Sequence, residues 1–275
     1  MKIFYAKMFF AIAITVSLSM LAVNCKKDKV NEDPPQLPPK TSMVMDFSDF
    51  SSATIDYTKN IDSTSYANHN WAGLNVGVWN LILTVRLAVP VASFYEAFNH
   101  QYVQEGDNLW SWSYSFVAQN TNHTAKLTAM YIESNQKIQW DMYITKENVY
   151  SNFHWYTGYS AISGLEGNWT LNESNIKPTP LLSIDWHRNT STGSSDIKYT
   201  NVEPGGLENG GYIYYAVSPS ASLNATYDIF NKGENKLINI QWNKNSKNGR
   251  IKDAKHYLNP DWHCWDSSFL DCNCP

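Results

Sequence analysis

From Leu109 onward, apolar and polar residues alternate. The stretch 109–116 puts Trp110, Trp112, Tyr114 and Phe116 on one side and Ser111, Ser113 and Ser115 on the other. That period of two predicts a strand with one buried face. Similar segments recur at 125–132, 137–145, 149–156, 167–172, 181–187, 196–202, 211–217, 223–230, 236–242 and 249–256, separated by clusters of Asn, Ser, Gly and Pro. Ser134-Asn135, Lys232 to Asn235 and Asn245 to Gly249 supply residues that tolerate left-handed turns. Short strands joined by tight turns predict a mainly β fold, an antiparallel meander forming a barrel or a two-layer sandwich. Ile-Gln-Trp occurs at both 138–140 and 240–242, a hint that strands of similar environment recur.

The stretch 71–98 departs from alternation, being apolar nearly all round, which predicts one buried helix near the N-terminal side. Pro90 lacks an amide hydrogen and is expected to kink or break it. Asn80 and Arg86 lie mid-run, and a central Arg costs at least about 2.5 kcal/mol on insertion into a bilayer. A helix packed on or inside the sheet is therefore preferred to a membrane span.

The N-terminus carries an address. Lys2 and Lys7 precede an uncharged, largely apolar run from Met8 to Asn24, the layout of a signal peptide. Leu21-Ala22-Val23-Asn24-Cys25 resembles a lipobox, and the following Lys26-Lys27-Asp28-Lys29 is similar to the start of exported lipoproteins of the Bacteroidetes. The resemblance implies cleavage after residue 24 and a palmitate-type lipid on Cys25. It further implies attachment to the membrane of the cell envelope, with the outer membrane as the expected place. Residues 25–42 then read as the lipidated cysteine and a linker, since Asn31 to Thr41 holds four prolines that disfavour packed structure. Residues 43–275 read as a single β-rich domain that includes the helix and a cysteine-rich tail.

Charge narrows the partners. The full chain carries a net charge of −4, and without the two lysines of the signal peptide 19 basic face 25 acidic side chains, a net of −6. That balance excludes a basic field for nucleic acid. None of the seven histidines forms a His-x-His or His-Glu-x-x-His pair, and no nucleophile elbow or phosphate loop is present, so no catalytic residue and no cofactor is assigned.

The remaining candidates are local. Arg86 on the apolar helix reads either as an anion-holding group in an internal cavity or as an ion-paired or snorkelling side chain. Trp140 with Asp141, and Trp186, are candidate ligand contacts, because a glycan face stacks on an aromatic ring beside a hydrogen-bonding carboxylate. Gly167-Asn168-Trp169 resembles the Gly-x-Trp of lipocalin-like barrels, where the Trp plugs one barrel end; an ordinary core Trp is the other reading. Asp62-Ser63-Thr64 resembles the Asp-Ser/Thr-x acceptor of O-glycans in Bacteroidetes exported proteins. In the tail, Cys264, Cys272 and Cys274 are expected to form one disulfide from Cys264 to Cys272 or Cys274 in an oxidising compartment, with a zinc site using His263 or His256 as the alternative.

Together these features suggest a membrane-anchored lipoprotein, more a binding or accessory protein than an enzyme. Its partner is expected to be a small apolar ligand in a cavity, a glycan on an aromatic face, or an outer-membrane protein. A cell-envelope hydrolase with carboxylates brought together only in space stands as the alternative.

Overall fold

The computed structural model describes residues 33–50 and 66–275; the signal segment, Cys25 and Asp62 to Thr64 lie outside the described residues. Alternation does produce strands. In chain order they are β1 (Val103–Gly106), β2 (Leu109–Ala118), β3 (Thr121–Ile132), β4 (Lys137–Lys146), β5 (Tyr150–Ala161), β6 (Glu166–Asn172) and β7 (Pro180–Asn189). They continue with β8 (Ser194–Asn201), β9 (Tyr212–Val217), β10 (Ala225–Asn231), β11 (Lys236–Trp242), β12 (Gly249–Lys252), β13 (His263–Trp265) and β14 (Asp271–Cys272). Each strand pairs antiparallel with the next, giving one 14-stranded meander in sequence order. β1 and β14 are not paired with each other, so the sheet is continuous but open. At the β2–β3 hairpin, Gln119 and Asn120 both take positive φ (49° and 57°) between the paired Ala118 and Thr121. Such a two-residue loop matches the twist of the strands it joins.

The segment expected to continue as a strand to residue 256 turns helical instead. Asp253 accepts hydrogen bonds from Lys255 N and His256 N, each 3.1 Å, and so caps the one-turn helix α2 (Ala254–Tyr257).

One face of the sheet holds the core. Trp112, Trp140, Tyr156, Trp169, Trp186, Tyr199, Tyr227 and Trp242 all point to it and are at most 4% exposed. Rings this large fit beside one another because glycine lies opposite two of them and opposite the equally buried Trp265. Gly158 pairs with Trp169, Gly167 with Trp186 and Gly249 with Trp265. A Cβ on these glycines would fall 2.3, 2.5 and 2.3 Å from the facing indole. The other face is polar: Asn168, Asp185, Lys198, Tyr214, Asp228 and Asn239 form one cross-strand row over six strands. This is the reverse of a membrane-crossing barrel, whose outer band is apolar.

The proline-rich stretch lies against the domain. Leu37 packs on the core and Pro38 is buried near Gly164. The chain then crosses the inner face of the sheet, where Met43, Met45 and Phe50 are 0%, 2% and 5% exposed. Three strands hold it by side-chain bonds. Trp169 Nε1 donates to Ser42 Oγ (3.2 Å), Tyr199 OH donates to the Met43 carbonyl (2.9 Å) while accepting from Met45 N (3.0 Å), and the Tyr227 hydroxyl donates to the Asp46 carbonyl. These contacts from β6, β8 and β10 to one short segment require the sheet to curve around it. Each fully buried Met or Phe contributes about 1.5–3 kcal/mol.

Helix α1 (Ala67–Ala97) lies along this inner side, touching β12, β13 and β14 through its first half and β2 and β3 through its second. Its first amides find their acceptor far along the chain: Ala67 N and Asn68 N donate to the two Asp271 carboxylate oxygens at 3.1 and 3.0 Å. At the other end, Tyr114 OH donates to the Ser93 carbonyl at 2.6 Å. The helix runs through Pro90 without a break. The carbonyl left without a donor belongs to Arg86, an exposed residue whose surroundings include solvent, and the buried Pro90 ring is held by the fold. The expectation of burial all round holds for one stripe only, Ala72, Val76, Leu83, Leu87, Pro90 and Phe94. On the opposite side Val78, Leu81, Ile82 and Val85 are 49%, 68%, 48% and 60% exposed.

Candidate functional site

Residues 40–50 and the buried stripe of α1 pack on the inner face, and a cleft of about 250 Å³ remains between Thr41, Val44 and Asp46 on one side and Trp186, Ile197 and Tyr215 on the other. Arg86 is exposed on the outward side of α1, as the snorkelling reading has it, and does not line an internal cavity. The reason is geometric: Arg86 lies off the packed stripe, where its guanidinium stays hydrated at no cost.

Trp140 and Trp186 are core rings, 0% and 1% exposed, and cannot stack on a ligand from outside. Trp140 Nε1 donates to Ser160 Oγ (2.9 Å), and Trp186 stacks on Trp169 with centroids 5.3 Å apart. Trp169 of the Gly-x-Trp stretch is likewise an ordinary core ring, on β6 in mid-meander.

Asp141 alone of the proposed ligand contacts faces outward, and it organises a cluster on β4 and β5. Its Oδ1 lies 2.8 Å from His154 Nε2, and its Oδ2 accepts from Gln139 Nε2 at 2.9 Å. The His154 ring stacks on Tyr143 (centroids 4.7 Å), and the Tyr159 hydroxyl reaches Gln139 Oε1 at 3.5 Å. Alternation in the sequence places Gln139 and Asp141 on one face. His154 and Tyr159 join them only through the β4–β5 register, which a bulge after Met142 shifts. Both Asp141 oxygens are already engaged, and among the described residues no Ser, Cys or Lys nucleophile bonds to His154. The arrangement offers a hydrogen-bonded carboxylate–imidazole pair, an amide and phenol edges on one outward face.

The tail forms a second polar surface. Cys264 bridges to Cys274, while Cys272 is a free, exposed thiol. The expected bridge is therefore present, with Cys274 as the partner and Cys272 outside it. Burial, with the neighbouring Asp266 and Asp271 charges, pushes the Cys272 thiol up, so little thiolate forms to attack the disulfide. His263 stacks on Tyr257 (3.6 Å) and bonds Asn259 Oδ1, and the described residues contain no metal-ligating cluster of His, Cys, Asp and Glu. Beside the tail is an open cleft of about 840 Å³ lined by Gln241, Arg250, Asp266 and Cys272 among others. Arg250 is fixed there by two bonds to Gln241 Oε1 (2.9 and 2.6 Å) and by the Trp262 ring 4.3 Å away.

A third cluster is structural. Lys244 bridges Asp46 and Asp49 at 2.9 and 2.8 Å, and Lys247 meets Asp49 at 2.8 Å. Burial would push Asp49 up, but the bonds from both lysines outweigh it and hold the carboxyl below its ordinary value. This cluster pins the inner segment to the turn between β11 and β12.

No protein-family model, curated protein or solved structure matches the chain.

Proposed function

We propose that the chain is a lipid-anchored, non-enzymatic accessory protein of the bacterial cell envelope that acts through its outer surfaces. Its address is the one implied by the Lys2 to Lys29 segment: export, lipid on Cys25 and residence at a membrane, the outer membrane being favoured. The observation that carries the choice of surface over cavity is the packing of Met43, Met45 and Phe50 on the inner face, where an apolar ligand would otherwise sit, with a cleft of about 250 Å³ left at its side. A carrier of the lipocalin kind keeps that volume open.

A glycan is the ligand class that best suits the outer face of β4 and β5. The Gln139, Asp141, His154 and Tyr159 groups present acceptors and donors in a row, and Tyr159 is 36% exposed. Two measurements test the proposal. Solvent extraction of the purified mature chain should remove no apolar molecule, and alkaline hydrolysis of the extracted chain should then release the ester-linked acyl chains held on Cys25; one apolar ligand extracted per chain would overturn the surface reading. Unaltered processing and membrane attachment of Cys25→Ser would overturn the anchor.

A further inference from the structure

The exposed side of α1 is built as a contact face. Val78, Leu81, Ile82 and Val85 follow i, i+3, i+4, i+7 spacing and form one ridge opposite the stripe packed on the sheet. A contiguous apolar ridge on a folded surface marks an interaction site more often than scattered exposed residues do.

We propose that this ridge rests on the lipid bilayer at the headgroup–acyl boundary, with α1 lying parallel to the membrane. The inference rests on the lipid-anchor reading. Three observations favour a bilayer over a protein. The tether reaches the structure close to this helix: Lys40 lies 5.0 and 5.2 Å from the Tyr95 and Phe98 rings at the end of α1. Only seven residues separate Cys25 from Asp33, eight residue steps with a reach of at most about 29 Å. α1 carries no acidic residue before Glu96, and its one cation, Arg86, flanks the ridge where it would meet anionic headgroups. Finally, four half-exposed side chains bury only a few hundred Å², against about 800 Å² per partner in a stable protein pair. A tethered domain needs no such area, because the anchor supplies a high local concentration.

The test places an environment-sensitive dye on Ile82→Cys in a Cys272→Ser background, with Asp185→Cys on the outer sheet face as the comparison. The full lipidated chain is inserted in phosphatidylethanolamine–phosphatidylglycerol vesicles whose acyl chains carry bromine. The dye at 82 should be quenched at least several-fold more than at 185, and Leu81→Glu with Val85→Glu should abolish the difference while leaving the near-UV spectrum unchanged. Equal quenching at the two positions overturns the proposal. So does a dye at 82 that is shielded from aqueous iodide yet not quenched by bromine, which would mean a protein covers the ridge. Fatty-acid labelling of Cys25, read in parallel, separates the two claims. If no lipid is incorporated but added vesicles still quench position 82, the ridge inference stands and the anchor falls; if they do not, both fall.

Discussion

Lowering the pH from 7.5 to 5 should weaken the fold through His69, well before any carboxylate is protonated. His69, in the first turn of α1, is packed against Phe269 (4.2 Å), Trp265 (5.5 Å) and Phe50 (5.6 Å), and burial lowers its pKa from 6.5 to about 4. In this case the folded value lies below the unfolded one, so between those two pH values the unfolded chain takes up a proton that the folded chain does not. Stability therefore falls with pH across that window and levels off below about 4. At pH 5, part-way through the window, the shift contributes about 2 kcal/mol, or roughly 1–2 kcal/mol after allowing for partial exposure of the ring. For a domain of this size that is a drop of roughly 2–8 °C in Tm. The assay is urea unfolding of the wild type and His69→Phe at pH 7.5 and pH 5. His123 and His256 are also held below the ordinary histidine value by burial, but they contribute to both proteins and cancel in the comparison. The variant should lose about 1–2 kcal/mol less than the wild type. Equal losses in the two proteins would refute the argument.

Asp271→Ala removes the acceptor for two helix amides and should cost about 1 kcal/mol in urea unfolding, while Cys272→Ser should change stability by less than about 0.5 kcal/mol. Gly158→Ala should cost about 3 kcal/mol or more by overpacking against Trp169, whereas Gly106→Ala, with open space around it, should stay within about 0.5 kcal/mol; similar midpoints for the two would contradict the role of glycine opposite indole. Peptide mapping without reduction should yield a Cys264–Cys274 crosslink and an alkylated Cys272, and reduction should cost about 3 kcal/mol; a Cys264–Cys272 peptide would contradict the pairing. Below about pH 4, loss of the Asp49 charge should release the inner segment: a carboxyl held low stabilises above its unfolded value and ceases to do so as pH falls through the folded one, so Lys247→Met should flatten that acid limb of the unfolding curve.

Much of the sheet was legible because its inner face demands apolar residues at every second position. The stretch 236–242 matches β11 at both ends, and 137–145 and 167–172 match β4 and β6 within one residue. β1, β13 and β14 were missed, being two to four residues long and lacking a full period. The helix was legible from its apolar run, but its exposed ridge was not, since a helix apolar on both sides gives no sign of which side meets the sheet. The surface clusters failed for another reason. Trp140 and Asp141 are neighbours in the chain yet point to opposite faces, so the reading that joined them into one platform combined a core ring with a surface carboxylate. Asp271 and Ala67 show the same limit, since no local pattern links residues 204 apart.

The order of synthesis gives that last contact a further meaning. A chain that emerges from its N-terminus completes α1 at Ala97, but Asp271 emerges some 170 residues later, after β12 and β13. The second half of α1 can settle on β2 and β3 soon after they emerge, whereas the first half waits with Ala72, Val76 and Trp71 uncovered until the end of the chain arrives. The meander itself grows hairpin by hairpin from neighbouring strands, so the slow event is not pairing but the return of the tail. A nascent chain stopped before the tail would hold a nearly complete sheet and an unfinished helix, and would be the form that holdase chaperones and proteases meet.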